Sequence, residues 1–296
     1  MRRARRGAAV ALGAAMALLA ASGPAMATQT TVTSGPVTAT LTSSGTFQKP
    51  GPVSLTITRA GVPTTFTGLE NDPGASGVVH ANPVGLAYAP IPGDPLRVRD
   101  LDGDGEPEVL VRLFSGGAHC CEVTSVASFD AATGAYRLTA QAFNDAGWVL
   151  HDLGGTPSPE FISWDYRWAY WGGNYAGSPK PLQVWSFSAG AFGGDVTRRF
   201  PAALRRDQAR QWTYAAQARR QGVSPRGAYA AYVADAYSLG RPDPAWARVR
   251  AAYRAPDRRR FFTALANQLR SLGYSAPVSS PTSGATARYS PAGGAL

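Results

Sequence analysis

The spacing between apolar positions changes once along this chain. Between residues 28 and 197, short runs that alternate apolar with polar side chains are separated by Gly, Pro, Asn and Ser, which is typical of strands joined by turns. The clearest runs are Val53–Thr58, Glu108–Phe114, Glu122–Phe129, Tyr136–Phe143, Trp148–His151, Glu160–Tyr166 and Leu182–Phe187. From about residue 201 the apolar positions recur every three or four residues. The pattern therefore predicts a β-rich region followed by a small helical bundle.

Start and stop signals divide the helical part. Ser224-Pro225 and Asp243-Pro244 each place a capping residue before a proline at the first helical position. Gly240 and Gly273 follow two of the apolar stripes and are expected to end those helices. A less regular helix is expected over about 201–221. Residues 275–296 are rich in Pro, Ser, Thr, Ala and Gly and are expected to be disordered.

The amino terminus has the pattern of a secretory signal peptide. A basic start is followed by an apolar run from Ala8 to Ala21 and by Ala25-Met26-Ala27, so we expect residues 1–27 to be removed by cleavage after Ala27. No later apolar run approaches the roughly 20 residues that span a bilayer. The sequence predicts a secreted, extracellular protein without a transmembrane anchor.

Charge is distributed unevenly between the two regions. Residues 28–197 carry 8 basic and 15 acidic side chains, a net charge of −7, whereas residues 198–272 carry 16 arginines and 4 aspartates, a net charge of +12. We therefore predict a β-blade domain over 28–197 and a basic helical domain over 198–274. The basic surface is either a solvated or docking face, or a surface for anionic polymers of the cell envelope. We expect no nucleic-acid partner.

A repeat of about 50 residues lies within the β region. When the chain is shifted by 52 residues, Leu96–Leu101 aligns with Trp148–Leu153, and Pro107–Leu110 aligns with Pro159–Ile162. Later strands align after a six-residue insertion in the second copy. A period of this length with several strands in each unit is typical of propeller blades.

One loop carries the strongest chemical signal. Asp100, Asp102 and Asp104 alternate along the chain, Gly105 follows, and Glu108 comes three residues after this glycine. Alternate residues of a tight loop can direct several oxygen atoms to one hard cation, and the carbonyl of Glu106 is a further candidate ligand. An EF-hand would need a glutamate where Val111 stands and would continue into a helix, whereas this loop precedes a predicted strand. We predict a calcium ion that stabilises the loop.

This loop resembles the FG-GAP, or integrin-α-like (VCBS-type), calcium-binding repeats. The longer stretch over about 95–275 is similar to an uncharacterised family of exported bacterial proteins that carry the repeat, through Ser115–Cys121, Phe161–Ser163 and Val196–Pro201. The resemblance implies partial β-propeller-like blade repeats and bound calcium, and it implies no enzymatic activity. The second copy has Gly154 and Thr156 in place of Asp102 and Asp104, so the resemblance implies one intact ion site.

Two adjacent cysteines, Cys120 and Cys121, are the only ones in the chain. In an exported protein they form a vicinal disulfide, remain as two buried thiols, or bind a metal beside His119. Neighbouring Cα atoms are about 3.8 Å apart, which is shorter than the usual disulfide span, so a vicinal bridge would be strained. The prediction favours the disulfide.

Four aromatic residues alternate along one segment, namely Trp164, Tyr166, Trp168 and Tyr170. On a regular strand their rings would share one face. Buried, this face would be blade core; exposed, it would be a platform for sugar rings or for a partner protein.

Motifs of common enzyme classes are absent from the sequence: there is no H-E-x-x-H, no G-x-S-x-G and no phosphate-binding glycine loop. We therefore predict a secreted, calcium-binding, non-catalytic interaction module whose partner is an envelope polysaccharide or protein. A carbohydrate-active hydrolase and a binder of anionic wall polymers are the alternatives.

Overall fold

The structure is a computed structural model that describes residues 27–45, 50–69, 82–83, 93–114, 122–175 and 177–274. The predicted signal peptide, apart from Ala27, the cysteine pair Cys120 and Cys121, and the predicted tail 275–296 lie outside these residues. Sheet 1 contains β1 (Thr28–Ser34), β2 (Val37–Gly45), β3 (Pro50–Arg59) and β4 (Val62–Thr67). Sheet 2 contains β5 (Asn82–Pro83), β6 (Leu96–Arg99), β7 (Glu108–Phe114), β8 (Glu122–Asp130) and β9 (Ala135–Ala142). Sheet 3 contains β10 (Val149–His151), β11 (Glu160–Trp164), β12 (Leu182–Ser188) and β13 (Ala191–Asp195).

All three sheets are antiparallel, and in sheets 1 and 3 the strands that follow one another in the chain pair with one another. In sheet 2, β5 and β6 both pair with β7, which pairs with β8 and then β9. The helical region contains α1 (Pro201–Arg220), α2 (Arg226–Ser238), α3 (Pro242–Ala252) and α4 (Arg258–Ser271). The predicted fold class, β-rich with a carboxyl-terminal helical region, is confirmed at this level.

Sheet 2 lies between the other two sheets. Every residue of β7 is buried, and alternate side chains of a strand point to opposite faces. Val109, Val111 and Leu113 pack with the apolar side chains of sheet 1, whereas Leu110 packs with Phe161 of sheet 3. Each buried aliphatic side chain contributes about 1.5–3 kcal/mol relative to an exposed one. Strand β7, apolar except for Glu108 and Arg112, therefore has two buried faces.

Sheet 3 joins the β region to the helices. Leu182 and Val184 of β12 pack against Leu204 of α1 in one apolar cluster. The backbone N–H of Leu182 donates to Asp235 Oδ1 of α2 at 3.1 Å. Farther along, Gly227 at the start of α2 approaches the backbone of the segment 177–179 so closely that a Cβ would lie 2.9 Å from Pro179 Cδ. These contacts fix the helical region on the outer face of sheet 3.

Asp235 is a fully buried acid at this junction. Burial, followed by the neighbouring Asp207, raises the pKa of its carboxyl well above the ordinary value. Its Oδ2 atom has no donor among the described residues, because the group beside it, Asp207, is itself a carboxylate. A proton on Asp235 completes a carboxyl–carboxylate hydrogen bond across α1 and α2.

This pair predicts a pH dependence of stability. Above about pH 4 the unfolded chain releases the Asp235 proton that the folded state retains, so stability falls as pH rises towards the folded pKa. In the variant Asp235→Asn the amide still accepts from Leu182 and does not ionise. We expect its melting temperature to exceed that of the wild type by a margin that grows as pH rises from about 4 towards the folded pKa of Asp235. Asp243→Asn, an exposed position, is the control; parallel curves for all three proteins would contradict the prediction.

Several predicted boundaries were wrong. The strand expected over Glu160–Tyr166 ends at Trp164. Helix α2 begins at Arg226 with Pro225 at its N-cap, and α3 begins at Pro242, ahead of the predicted capping residue Asp243. Sheet 1, whose strands begin at Thr28, is a further four-stranded unit ahead of the two copies of the repeat.

Candidate metal centre

The loop of residues 100–107 connects β6 to β7 and folds around the Asp100 carboxylate. The backbone N–H of Gly103 donates to Asp100 Oδ1 at 2.7 Å, and that of Gly105 donates to Oδ2 at 3.0 Å. Both glycines have positive φ, +80° and +88°, a region that L-residues with a side chain rarely adopt. The alternation of acids with glycines therefore forms a tight turn around one carboxylate.

Three carboxylates converge inside this turn. One ligand oxygen from each of Asp100, Asp102 and Glu108 lies within 4.8 Å of the others. Glu108 is 2% exposed, and its Oε2 accepts a hydrogen bond from the Leu101 N–H at 2.8 Å. Asp102 Oδ1 is buried and has no hydrogen-bond partner among the described residues. The turn thus holds a buried acceptor without a donor, next to two further carboxylates.

The electrostatics of this cluster favour a cation. Burial, and then repulsion by Asp102, Asp104 and Asp100, raises the pKa of Glu108 to about 8, although the Leu101 N–H acts in the opposite direction. Burial and the charge of Asp104 also raise the pKa of Asp102. A divalent cation that takes oxygen ligands at about 2.3–2.6 Å would compensate these charges. Asp100, Asp102 and Glu108 fit a hard cation such as Ca²⁺.

The two other predicted ligand residues lie at the edge of the turn. Asp104 is exposed, and its Oδ1 accepts from the Glu106 N–H at 2.7 Å, so its side chain is outside the group of three. The Glu106 carboxylate pairs with Arg59 through two hydrogen bonds, Nε to Oε2 at 3.0 Å and Nη2 to Oε1 at 2.6 Å. The Glu106 side chain therefore binds to Arg59 of β3 in sheet 1 and not to the group of three carboxylates.

The loop contacts both neighbouring sheets. Glu106 reaches sheet 1 through Arg59, whose guanidinium also lies 4.2 Å from the ring centroid of Phe129 in β8. On the other side, Asp102 Oδ2 accepts from the N–H of Gly190, in the turn between β12 and β13 of sheet 3, at 3.4 Å. The candidate ion site thus stands where three sheets meet.

The sister loop of sheet 3 has the same backbone arrangement. The Leu153 N–H donates to Glu160 Oε2 at 2.8 Å, and the Gly155 N–H donates to Asp152 Oδ1 at 2.6 Å, which matches the bonds of Leu101 and Gly103. Thr156 stands where Asp104 stands in the first copy and bonds to the Ser158 carbonyl at 3.2 Å. The predicted repeat is therefore visible in the hydrogen bonds, with the outer acids retained and the central acids absent.

The structure separates the aromatic run. Trp164 ends β11 and is half-buried, Tyr166 begins a single turn of 3-10 helix, and Trp168 is 1% exposed within the core of the helical region. Tyr170 is 49% exposed and has a positive φ of 62°. The expectation of four rings on one strand face is wrong, because the Asp165 side chain accepts from the Arg167 N–H and starts the turn.

Sequence reasoning missed a second polar cluster, between α1 and α2. Asp207 bonds to Gln211 Nε2 at 3.0 Å and pairs with Arg210, and it faces Asp235. The sequence signal for this cluster is the aspartate inside the otherwise apolar run Tyr229–Tyr237, which counted only towards the net charge.

Among the described residues, no helix is long and apolar enough to cross a bilayer.

Comparisons with known proteins relate part of the chain to other proteins. Residues 204–273, which cover most of α1 through α4, match a family described as the sll0997 C-terminal domain. A probable thylakoid lumen protein, sll0997 of Synechocystis sp., is 28% identical over 173 residues, which cover 53% of this chain and 48% of that protein. The uncharacterized protein y4bJ of Sinorhizobium fredii is 26% identical over 144 residues, 48% of this chain and 22% of that protein.

The chain therefore spans about half the length of the first relative and less of the second. No solved structure matches it. The family match falls on the helical region and not on the acidic loop.

Proposed function

We propose that this protein is an exported, non-catalytic binding module in which one calcium ion, held by Asp100, Asp102 and Glu108, fixes three blade-like sheets relative to one another. The observation that carries the proposal is the buried, unpartnered Oδ1 of Asp102 beside two other carboxylates. The same loop contacts Arg59 of sheet 1 and Gly190 of sheet 3, so an ion that stabilises the loop also stabilises its contacts with both sheets.

The blade-like arrangement is part of this proposal. One strand from each sheet, β1, β6 and β10, lines a groove of about 400 Å³ that includes Val32, Leu96 and Leu150. Strands of successive sheets that face a shared space are typical of propeller blades around an axis. The helical region packs on sheet 3, where a further blade would pack in a propeller.

Export is supported by the signal-peptide pattern of residues 1–27 and by the printed name of the Synechocystis relative, a probable thylakoid lumen protein. We do not favour the hydrolase alternative. It requires Trp164 and Trp168 to be exposed around a cleft with two facing carboxylates, whereas Trp168 is buried in the helical core.

Calcium removal tests the proposal. Because the ion binds only the folded state, free calcium at about 100 to 1,000 times its dissociation constant stabilises the fold by about 3–4 kcal/mol. We expect chelator to lower the melting temperature of the wild type clearly and that of Asp102→Asn less, because weaker binding stabilises the fold less. Asp152→Asn removes the sister-loop acid that corresponds to Asp100, and this variant should respond to chelator like the wild type. An unchanged wild-type melting temperature would refute the proposed site.

A further inference from the structure

Three cavities lie end to end along one face of α1. Their volumes are about 270, 260 and 270 Å³. The first and second share Trp164 and Arg210, and the second and third share Pro179 and Tyr214. They therefore form one continuous depression, here called the α1 groove.

The helical wall of this groove follows the helix period. Residues three or four positions apart line it, namely Ala203, Arg206, Arg210, Tyr214, Gln217 and Gln221. At 1.5 Å per residue this face is about 27 Å long. The opposite wall comes first from sheet 3 and then from the segment 177–180. A depression of this length and shape suits an extended ligand better than a compact one.

Cations outnumber acids in the groove lining by three to two. Arg206 is exposed and has no ion pair among the described residues. The two acids in the lining each lie near a cation: Asp207 pairs with Arg210, and Asp145 acts on Lys180. The surrounding helical region carries a net charge of +12 over residues 198–272. An anionic ligand is therefore complementary to this surface.

Aromatic and amide groups accompany these cations. Trp164 lines the first two cavities, with the Arg210 guanidinium over one face of its ring at 5.4 Å from the centroid, and Tyr214, 44% exposed, lines the second and third. Gln211 is only 1% exposed and lines the middle cavity, and its Oε1 has no partner among the described residues. Rings that can stack on sugar faces, beside amides that bond to hydroxyl groups, are suited to carbohydrate.

We infer that the α1 groove binds a linear anionic glycan, with sugar units against Trp164 and Tyr214 and with carboxylate or phosphate groups facing Arg206 and Arg210. This inference rests on the proposed function in that it names the ligand of the binding module. A peptide that adds as a further strand is a poorer occupant, because β11 is an interior strand that pairs with β10 through Glu160–Ile162 and with β12 through Phe161–Trp164.

Titration of the full chain in calcium with an oligogalacturonate of defined length tests the inference. We expect binding that weakens as salt is added and that Arg206→Glu weakens about fivefold. Arg205→Glu is the matched control, because Arg205 is the adjacent exposed arginine of α1 and does not line the groove. Trp164→Ala and Tyr214→Ala should each weaken binding about threefold to tenfold.

The probes separate the sources of negative charge. Poly(glycerol phosphate) replaces carboxylate by phosphate, the methyl-esterified oligogalacturonate removes the charge, and poly-glutamate presents carboxylates on a peptide. Binding of the oligogalacturonate that depends on Arg206 and not on Arg205 supports the inference. The inference is overturned if the oligogalacturonate does not bind, if both arginine variants weaken binding equally, or if poly-glutamate or poly(glycerol phosphate), which has no sugar ring, binds more tightly.

The melting temperature of every variant is measured alongside binding, so that unfolding is not mistaken for lost affinity. Arg206→Glu replaces an exposed side chain and is expected to fold normally. If the glycan binds but calcium does not change the melting temperature, the proposed ion site is wrong and the groove assignment holds. If calcium raises the melting temperature but no glycan binds, the groove assignment is wrong and the ion site holds.

Discussion

Trp168→Ala is expected to lower the free energy of unfolding by about 3–5 kcal/mol. The Trp168 side chain is 1% exposed and lies 5.6 Å from the ring centroid of Trp171 and 5.7 Å from that of Tyr274. Truncation would leave a cavity where the segment after β11 meets the helical core. Urea denaturation followed by circular dichroism measures the loss.

Two variants make this prediction specific. Tyr170→Ala, at the exposed end of the same aromatic run, should cost about 1 kcal/mol or less. Trp168→Phe should cost less than Trp168→Ala, because the indole Nε1 has no hydrogen-bond partner among the described residues and phenylalanine retains most of the apolar contact. Similar losses for Trp168→Ala and Tyr170→Ala would show that the run is not divided between core and surface.

Arg112→Met is expected to cost about 3–5 kcal/mol, because it leaves the buried Glu122 carboxylate without its partner. The two side chains are 7% and 0% exposed, and Arg112 Nη2 lies 2.7 Å from Glu122 Oε1. Burial raises the pKa of Glu122, whereas the charge of Arg112 lowers it. The arginine also lies 4.8 Å from the ring centroid of Trp148, so the substitution removes a cation–π contact between sheets 2 and 3.

A double-variant cycle distinguishes the charge effect from lost packing. If the cost comes from an unpaired buried charge, Arg112→Met/Glu122→Leu should be more stable than Arg112→Met, since apolar pairs often replace buried ion pairs at little cost. A double variant whose loss equals the sum of the two single losses would contradict this explanation.

The helical region was predictable because its signals are local. Apolar residues at helical spacing and the glycines after α2 and α4 identified the elements within a few residues. The sequence also placed the acidic loop between two strands, since turn-forming glycines and alternating acids act within nine residues. The retained ends of the sister loop, Asp152 and Glu160, were visible in the 52-residue offset.

The remaining features depend on contacts between distant residues. Glu106 pairs with Arg59, which is 47 residues away in the chain, so spacing alone could not predict this link between the acidic loop and sheet 1. Strands β1 and β2 are rich in threonine, and cross-strand pairs such as Thr31–Thr40 cover the exposed face of their sheet. Because this face has threonine where charged residues are more usual, the alternation of apolar and polar positions was harder to recognise in the sequence. The aromatic run was expected on a strand because its rings occupy every second position. This spacing places side chains on one face only if the backbone is extended.

The α1 groove illustrates the same limit. Its arginines were visible only as an excess of charge in the sequence, whereas their position beside Trp164 follows from the packing of sheet 3 on α1. A basic helix and an aromatic strand end, 40 residues or more apart, acquire a shared function only through the fold.

Calorimetric titration of calcium into chelator-stripped protein tests the central claim most directly. We predict a single site in the wild type and in Asp152→Asn, with affinity at least about tenfold lower in Asp102→Asn because one charged ligand is lost. Absence of a binding heat in the wild type at several temperatures, or equal affinity in the wild type and Asp102→Asn, would contradict the assignment of Asp100, Asp102 and Glu108 as an ion site.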